Sequence, residues 1–256
     1  MEMMIELTDS TGPIHSTGPI NSTGRDTLAE IVNAWPAAAR VLDGLGLDYC
    51  CGGRERLDDA CAAAGLDPKD VLAALGAVRA APDPEWRSMG PAELVDHLEA
   101  THHAYLHDEL PRLDALLEKV VRVHGARHRE LGELREAFGE LAEDLEPHLL
   151  KEERVLFPMI RELESATELP SFHCGSIANP VSRMMVEHDR AGELLARIRL
   201  VTYDHTPPAD ACGSYRALFT GLADLEADTH LHVHKENNVL FPAVIAMEQR
   251  LAGPPS

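Results

Sequence analysis

The chain has 256 residues, long enough for one large domain with a smaller one beside it, and its composition is 45% apolar but only 4% aromatic. Its 43 acidic against 23 basic side chains give a formal net charge of −20, which repels phosphate backbones and anionic headgroups and so argues against nucleic acid or a membrane surface as partner. Five cysteines (Cys50, Cys51, Cys61, Cys174 and Cys212) are too few and too scattered for a disulfide framework, and they fit a reducing, cytoplasmic compartment.

Abundant Leu, Ala and Glu at helical spacing predict an all-α protein. The chain starts with an acidic stretch, Met1 to Asp9, that lacks a basic leader region, and no segment approaches the roughly 20 apolar residues of a spanning helix. A tandem hexapeptide follows, Ser10 to His15 and Ser16 to Asn21, so rich in Gly and Pro that residues 1–24 are expected to be a disordered tail with His15 inert. From Asp26 the pattern turns helical. Asp26 or Thr27 can cap a helix from Leu28 to Trp35, and Pro36 can open a second one running to Leu45.

The next stretch, Asp48-Tyr49-Cys50-Cys51-Gly52-Gly53, reads as a tight, exposed loop because two glycines flank the thiols. Adjacent cysteines rarely bridge each other, so the pair points to thiol exchange, metal hand-off or an intermolecular link, with a small buried pair as the plain alternative. No CxxC spacing supports a thioredoxin-type mechanism. Further helices begin at Asp58 and at Asp67-Pro68. Pro82, Pro84, Gly90 and Pro91 then mark a linker, which divides the chain into a small helical unit (25–80), a linker (81–91) and a larger domain (92–250).

The larger domain is internally duplicated. His148-Leu-Leu-Lys-Glu152-Glu-Arg-Val-Leu-Phe-Pro158 recurs 84 residues later as His232-Val-His-Lys-Glu236-Asn-Asn-Val-Leu-Phe-Pro242. A His and a Glu four apart share one helix face about 6 Å along the axis, so both can aim at one small volume. Each copy has a histidine upstream at nearly the same distance, His103 for the first and His188 for the second. Two such units predict four antiparallel helices, an up-and-down bundle whose core holds four imidazoles and two carboxylates. That donor set favours a binuclear iron centre, with zinc second.

His102 competes with His103, but His103 with Leu106, Leu110 and Leu113 matches His188 with Ala191, Leu195 and Ile198 at a constant offset of 85. His97, His107, His124, His128, His205, His230 and His234 lack counterparts and are expected to be solvated or capping residues. Asp144 and Asp228, again 84 apart and each four residues before a ligand histidine, are candidates to orient the imidazoles, and Glu187 is a weaker one. The Leu-Phe-Pro ends are expected to pack in the core, with proline disturbing the final helical turn. His173 and Cys174, on the Pro170 to Pro180 connection, read as ordinary loop residues.

The Asp48-Tyr49-Cys50-Cys51-Gly52-Gly53 leader, Glu187-His188-Asp189-x-Ala191-Gly192 and the two His-x3-Glu elements ending in Leu-Phe-Pro together resemble the repair of iron centres family over residues 26–248. The Pro170 to Pro180 connection and the repeat-bearing tail depart from that pattern. The resemblance implies a hemerythrin-like four-helix bundle with two non-haem iron ions, bridged by solvent, on His103, His148, Glu152, His188, His232 and Glu236. It also implies Cys50 and Cys51 as the thiols that act, and a role in restoring iron-sulfur clusters damaged by nitric oxide or peroxide. Expected partners are damaged iron-sulfur proteins and nitric oxide or oxygen as small ligand, and a homodimer is compatible with it. The alternatives are a hemerythrin-type oxygen or nitric oxide carrier or sensor, and a ferritin-like oxidase. The oxidase is disfavoured because its helices carry Glu-x-x-His and four glutamates.

Overall fold

A computed structural model describes residues 24–77 and 85–253. The expected tail up to residue 23, His15 with it, residues 78–80 of the expected small helical unit and residues 81–84 of the expected linker lie outside the described residues. The protein is all-α. No strand forms among the described residues, only two isolated bridges, Thr27 with Arg56 and Phe172 with Gly175.

Four short helices make the N-terminal unit: α1 (Leu28–Ala34), α2 (Ala38–Gly44), α3 (Leu57–Ala64) and α4 (Pro68–Ala77). Thr27 and Glu30 close a capping box at the start of α1, where each side chain takes the other's backbone N–H. Leu28, Val32, Leu42, Leu57 and Val71 form a small core that also takes in Val233 of the fourth long helix, so this unit is packed onto the bundle.

The bundle follows a short 3-10 turn (Glu85–Ser88) that buries Trp86. Its first long helix is α5 (Pro91–Leu98) continued by a π turn (Glu99–His103) into α6 (Ala104–His124). The second is α7 (Glu130–Lys151), a π turn (Glu152–Leu156) and α8 (Phe157–Ser165). The third, α9 (Ala178–Val201), is uninterrupted, and the fourth is α10 (Gly213–Lys235), a π turn (Glu236–Leu240) and α11 (Phe241–Ala252). Each π turn is closed by an N–H reaching back five residues: Ala104 to Glu99, Phe157 to Glu152 and Phe241 to Glu236. Such widened turns gather at functional sites.

Two apolar clusters fill the bundle, one built on Leu110, Leu134, Phe138 and Leu222, the other on Leu98, Phe157, Ile160 and Phe241. The first and third long helices pass from the second cluster to the first, and the second and fourth pass back again, which is an up-and-down antiparallel topology. All six candidate ligands fall in the polar layer between the clusters. Pro158 and Pro242 do not end their helices as expected. Each lies in the first turn after a π turn, where an absent N–H is not missed, and the helix runs on to Ser165 or Ala252.

After α9 the chain turns through Tyr203, Asp204 and His205, three consecutive non-glycine residues at φ 50°, 60° and 53°. Left-handed backbone costs about 1–2 kcal/mol per residue. Here it is offset by side chains: Thr202 Oγ1 accepts the His205 N–H at 3.2 Å, and buried Glu226 holds His205 Nε2 at 2.6 Å and Arg199 Nε at 2.8 Å. Burial alone would raise the Glu226 pKa, but His205 and Arg199 outweigh it and hold the carboxyl below its ordinary range. A depressed carboxyl pKa stabilises above the unfolded value near 4.3, and the contribution vanishes as pH falls through the folded value. Glu226→Gln is therefore expected to cost about 1–3 kcal/mol at pH 7 in urea melts. Its deficit against wild type should fade below about pH 4.

Candidate metal centre

The six predicted side chains converge. His103, Glu152, His232 and Glu236 form one group and His148, Glu152, His188 and Glu236 another, with donor atoms in each group within 4.8 Å of one another. Both carboxylates are common to the two groups. Glu236 presents Oε1 to His232 Nε2 and Oε2 to His188 Nε2, each at 3.2 Å, so one oxygen serves each group. Glu152 Oε2 meets His148 Nε2 at 3.3 Å and His103 Nε2 at 3.5 Å, while its Oε1 faces His188 Nε2 at 4.0 Å. All six residues are at most 3% exposed.

The outer ring nitrogens decide which way the lone pairs point. His103 Nδ1 donates to Glu153 Oε1 at 3.0 Å, His148 Nδ1 to Glu187 Oε2 at 3.0 Å, and His188 Nδ1 to Asn237 Oδ1 at 2.9 Å. A proton on Nδ1 leaves Nε2 as a bare lone pair. Three imidazoles thus aim unprotonated nitrogens into the layer, and His148 Nε2 lies 3.1 Å from His188 Nε2. Two lone pairs at that distance repel unless a positive charge lies near both. Both oxygens of Glu152, both of Glu236, His103 Nε2 and both nitrogens of His232 are buried without a hydrogen-bond partner. Buried polar atoms without partners are costly, and a bound cation would satisfy these at once. The same demand is visible on His148: burial depresses its pKa, yet Glu152 and Glu187 outweigh burial and raise it to about 10, so that with no cation bound a proton would take the metal's place on Nε2. The donor set fits the expected metal.

Two residues that orient imidazoles went unread in the sequence, although its pattern contained them. Glu153 and Asn237 each follow a ligand glutamate, lie 84 residues apart, and each holds the upstream histidine of its own half. Phe157 and Phe241 repeat the arrangement, their rings lying 5.2 Å from His103 and 6.0 Å from His188. Of the expected acids, Asp144 does not reach His148. It is half exposed and 3.6 Å from Arg190 Nε, because a residue four before His148 lies a full turn away and outside the layer. Glu187 from the third helix takes that role, and its bond to His148, aided by Lys151, holds its own pKa down to about 2. Asp228 serves His102, whose Nδ1 it meets at 2.9 Å, and not His232.

The hemerythrin HHE cation binding domain family matches residues 94–244, which span this layer and its four helices. Residues 24–79 match a second family, a domain of unknown function (DUF542). Among curated proteins, the iron-sulfur cluster repair protein YtfE of Enterobacter sp. (strain 638) is 36% identical over 222 residues, covering 86% of this chain and 97% of that protein. The same name, identity and coverage hold for proteins of Escherichia coli O157:H7 and Shigella boydii serotype 4 (strain Sb227). The chain belongs to the repair of iron centres family.

The cysteine pair of this family member is not the exposed loop its glycines suggested. Cys50 is only 5% exposed and Cys51 is half-buried. Both glycines instead permit close approach, since a Cβ on Gly53 would sit 2.5 Å from the Tyr49 carbonyl oxygen and one on Gly52 2.9 Å from that of Asp48. Asp48 caps the loop, its carboxylate accepting the N–H groups of Cys50, Cys51 and Gly52 at 2.9–3.0 Å. The two Sγ atoms are 3.8 Å apart, and Cys50 Sγ is 3.2 Å from Asp48 Oδ1. The bond to Cys51, burial and Asp48 hold the Cys50 thiol well above its ordinary pKa. One wall of a cleft of about 400 Å³ is formed by the pair, with Asp48, Asp189, Glu193 and Arg199 also lining it.

Side chains of the fourth helix fasten this loop to the metal layer. Asn238 Nδ2 donates to the Cys50 carbonyl at 2.9 Å, and Asn237, which holds His188, reaches the same carbonyl at 3.5 Å. His234 pairs with the Tyr49 carbonyl and Asn33, and His230 with Asp43 at 2.8 Å. The expected solvated or capping role is thus corrected for several histidines: His124 and His234 are buried, His205 and His230 have carboxylate partners, and His97 pairs with Lys235 Nζ at 2.9 Å. The rival His102 is buried too, outside the ligand groups. Burial lowers His102 and His234 to about 4 and Lys235 to about 8. His107 remains exposed but pairs with Glu153, and His128 pairs with Glu130 and Asp210. His173 stays exposed on its turn and Cys174 packs against the second apolar cluster, neither joining the metal layer. No helix among the described residues is long and apolar enough to cross a membrane.

Proposed function

We propose that the layer holds two iron ions and that the protein repairs iron-sulfur clusters damaged by nitrosative or oxidative stress. One observation carries this: two carboxylates shared between two pairs of imidazoles, fastened through Asn237 and Asn238 to a dithiol loop. Bound there, iron would supply open coordination positions for a diatomic ligand and would be a reservoir of transferable ions. Glu152 and Glu236, common to both groups, would hold both ions, His103 and His232 would hold one of them, and His148 and His188 the other.

The chain's own groups perform the rest. Glu153, Glu187 and Asn237 keep three Nδ1 protons in place, so that Nε2 is the nitrogen each of these imidazoles turns to the metal. Leu98, Phe157 and Phe241 exclude bulk water above the layer and Leu106 and Leu145 below it. Cys50, Cys51 and Asp48, with donor atoms within 4.8 Å of one another, offer a sulfur-rich set at the cleft where a client protein's iron can be met. A carrier or sensor would leave that dithiol without a task. The relatives' printed name, iron-sulfur cluster repair protein, supports the repair reading.

Adding the iron-loaded protein to an iron-sulfur enzyme inactivated by nitric oxide tests it. Activity should return faster than with buffer or with metal-free protein. Equal recovery in all three would overturn the proposal.

A further inference from the structure

Every ligand imidazole except one has its outer nitrogen held by an acceptor. His232 Nδ1 is buried with no partner. The duplication shows why. His103 corresponds to His188 at an offset of 85, so the residues before them, His102 and Glu187, correspond as well. Each buttresses an imidazole of the opposite half, Glu187 behind His148 and His102 behind His232, but with different chemistry. Glu187 accepts the His148 Nδ1 proton at 3.0 Å and is itself anchored by Lys151 at 2.6 Å and Arg183 at 2.8 Å. His102 offers a ring face, its centroid 5.3 Å from that of His232 with the planes 5° apart. It cannot turn a nitrogen towards His232, because Nδ1 is held by Asp228 at 2.9 Å and Nε2 by Lys235 at 2.7 Å.

Resting on the di-iron reading, we infer that the two iron positions are unequal and that the one formed by His103 and His232 is the weaker, the position from which iron is given up first. Both carboxylates face both groups, and Glu236 does so at equal distances, so they do not single out one position. The imidazoles can, because a hydrogen-bonded acceptor behind a ligand imidazole raises its basicity, and losing such an acceptor costs about 10–100-fold in metal affinity. His148 and His188 both have one. Of the other pair only His103 has one. Stacking on His102 fixes the plane of His232 without adding to the basicity of Nε2.

The experiment is an anaerobic titration of the metal-free full chain with ferrous iron, read by calorimetry and by Mössbauer spectroscopy of isotopically enriched iron. Wild type should bind in two steps about 10-fold or more apart, with distinct spectra for the first and second ion. Glu187→Ala should weaken the first step about 10-fold and leave the second in place, so that the steps merge. His102→Ala should weaken only the second, and His102→Phe, which retains an aromatic face, should restore it. Two equal steps in wild type, or a Glu187→Ala variant in which both steps move together, would overturn the inference. Uptake of fewer than two ions by wild type would instead overturn the di-iron reading beneath it.

Discussion

Glu236→Ala is expected to strip the protein of nearly all its iron, whereas His188→Ala should remove about half. The difference follows from sharing. Glu236 gives one oxygen to each group, so its loss takes a donor from both positions, while His188 belongs to one group only. Glu152→Ala should behave like Glu236→Ala for the same reason. His148→Ala should resemble His188→Ala, with an added penalty because Glu187 then loses its imidazole partner. His128→Ala is the control, since its partners, Glu130 at the start of α7 and Asp210 in the turn before α10, lie away from the polar layer. Iron per chain on proteins purified in parallel, with circular dichroism to verify the fold, checks all five. Equal iron loss in the glutamate and histidine variants would mean that the carboxylates do not bridge.

Cys50→Ser combined with Cys51→Ser is expected to leave iron content at the wild-type level and to reduce recovery of a damaged iron-sulfur enzyme in cells by about 10-fold or more. Neither thiol touches a ligand, and the contacts from Asn237 and Asn238 run to the Cys50 backbone carbonyl, which the substitution preserves. Serine also retains a donor for Asp48, so the loop keeps its cap. What is lost is sulfur, the better donor for the iron of a cluster. Recovery after nitric oxide as fast as wild type would reduce the dithiol to a packing element and remove the chief distinction from a carrier.

Much of this arrangement could be read from residue order. A repeat of 84 residues that keeps His, Glu, Leu, Phe and Pro in register implies the four helices and the convergence of six donors, because helix periodicity is local and a duplicated frame aims both halves at one axis. What escaped the sequence reading depends on contacts between distant elements. His234 reads as a surface residue until Tyr49 and Asn33 close over it, and His102 becomes a buttress only once Asp228 and Lys235 fix its ring. Cys50 reads as exposed because its glycines have two physical uses, a free turn or a close approach, and only the packed neighbours decide between them. The π turns are equally silent, since one backbone N–H reaching five residues back instead of four leaves no mark in composition. Glu153 and Asn237 differ in type, which hid a shared task that their spacing had already encoded.

X-ray absorption at the iron edge, together with iron per chain on the purified full-length protein, addresses the shared-carboxylate centre most directly. The arrangement predicts two irons per chain and an iron–iron vector of about 3.5–4 Å or shorter, since two carboxylates span both positions. One iron per chain, or two irons with no iron neighbour in that range, would contradict it.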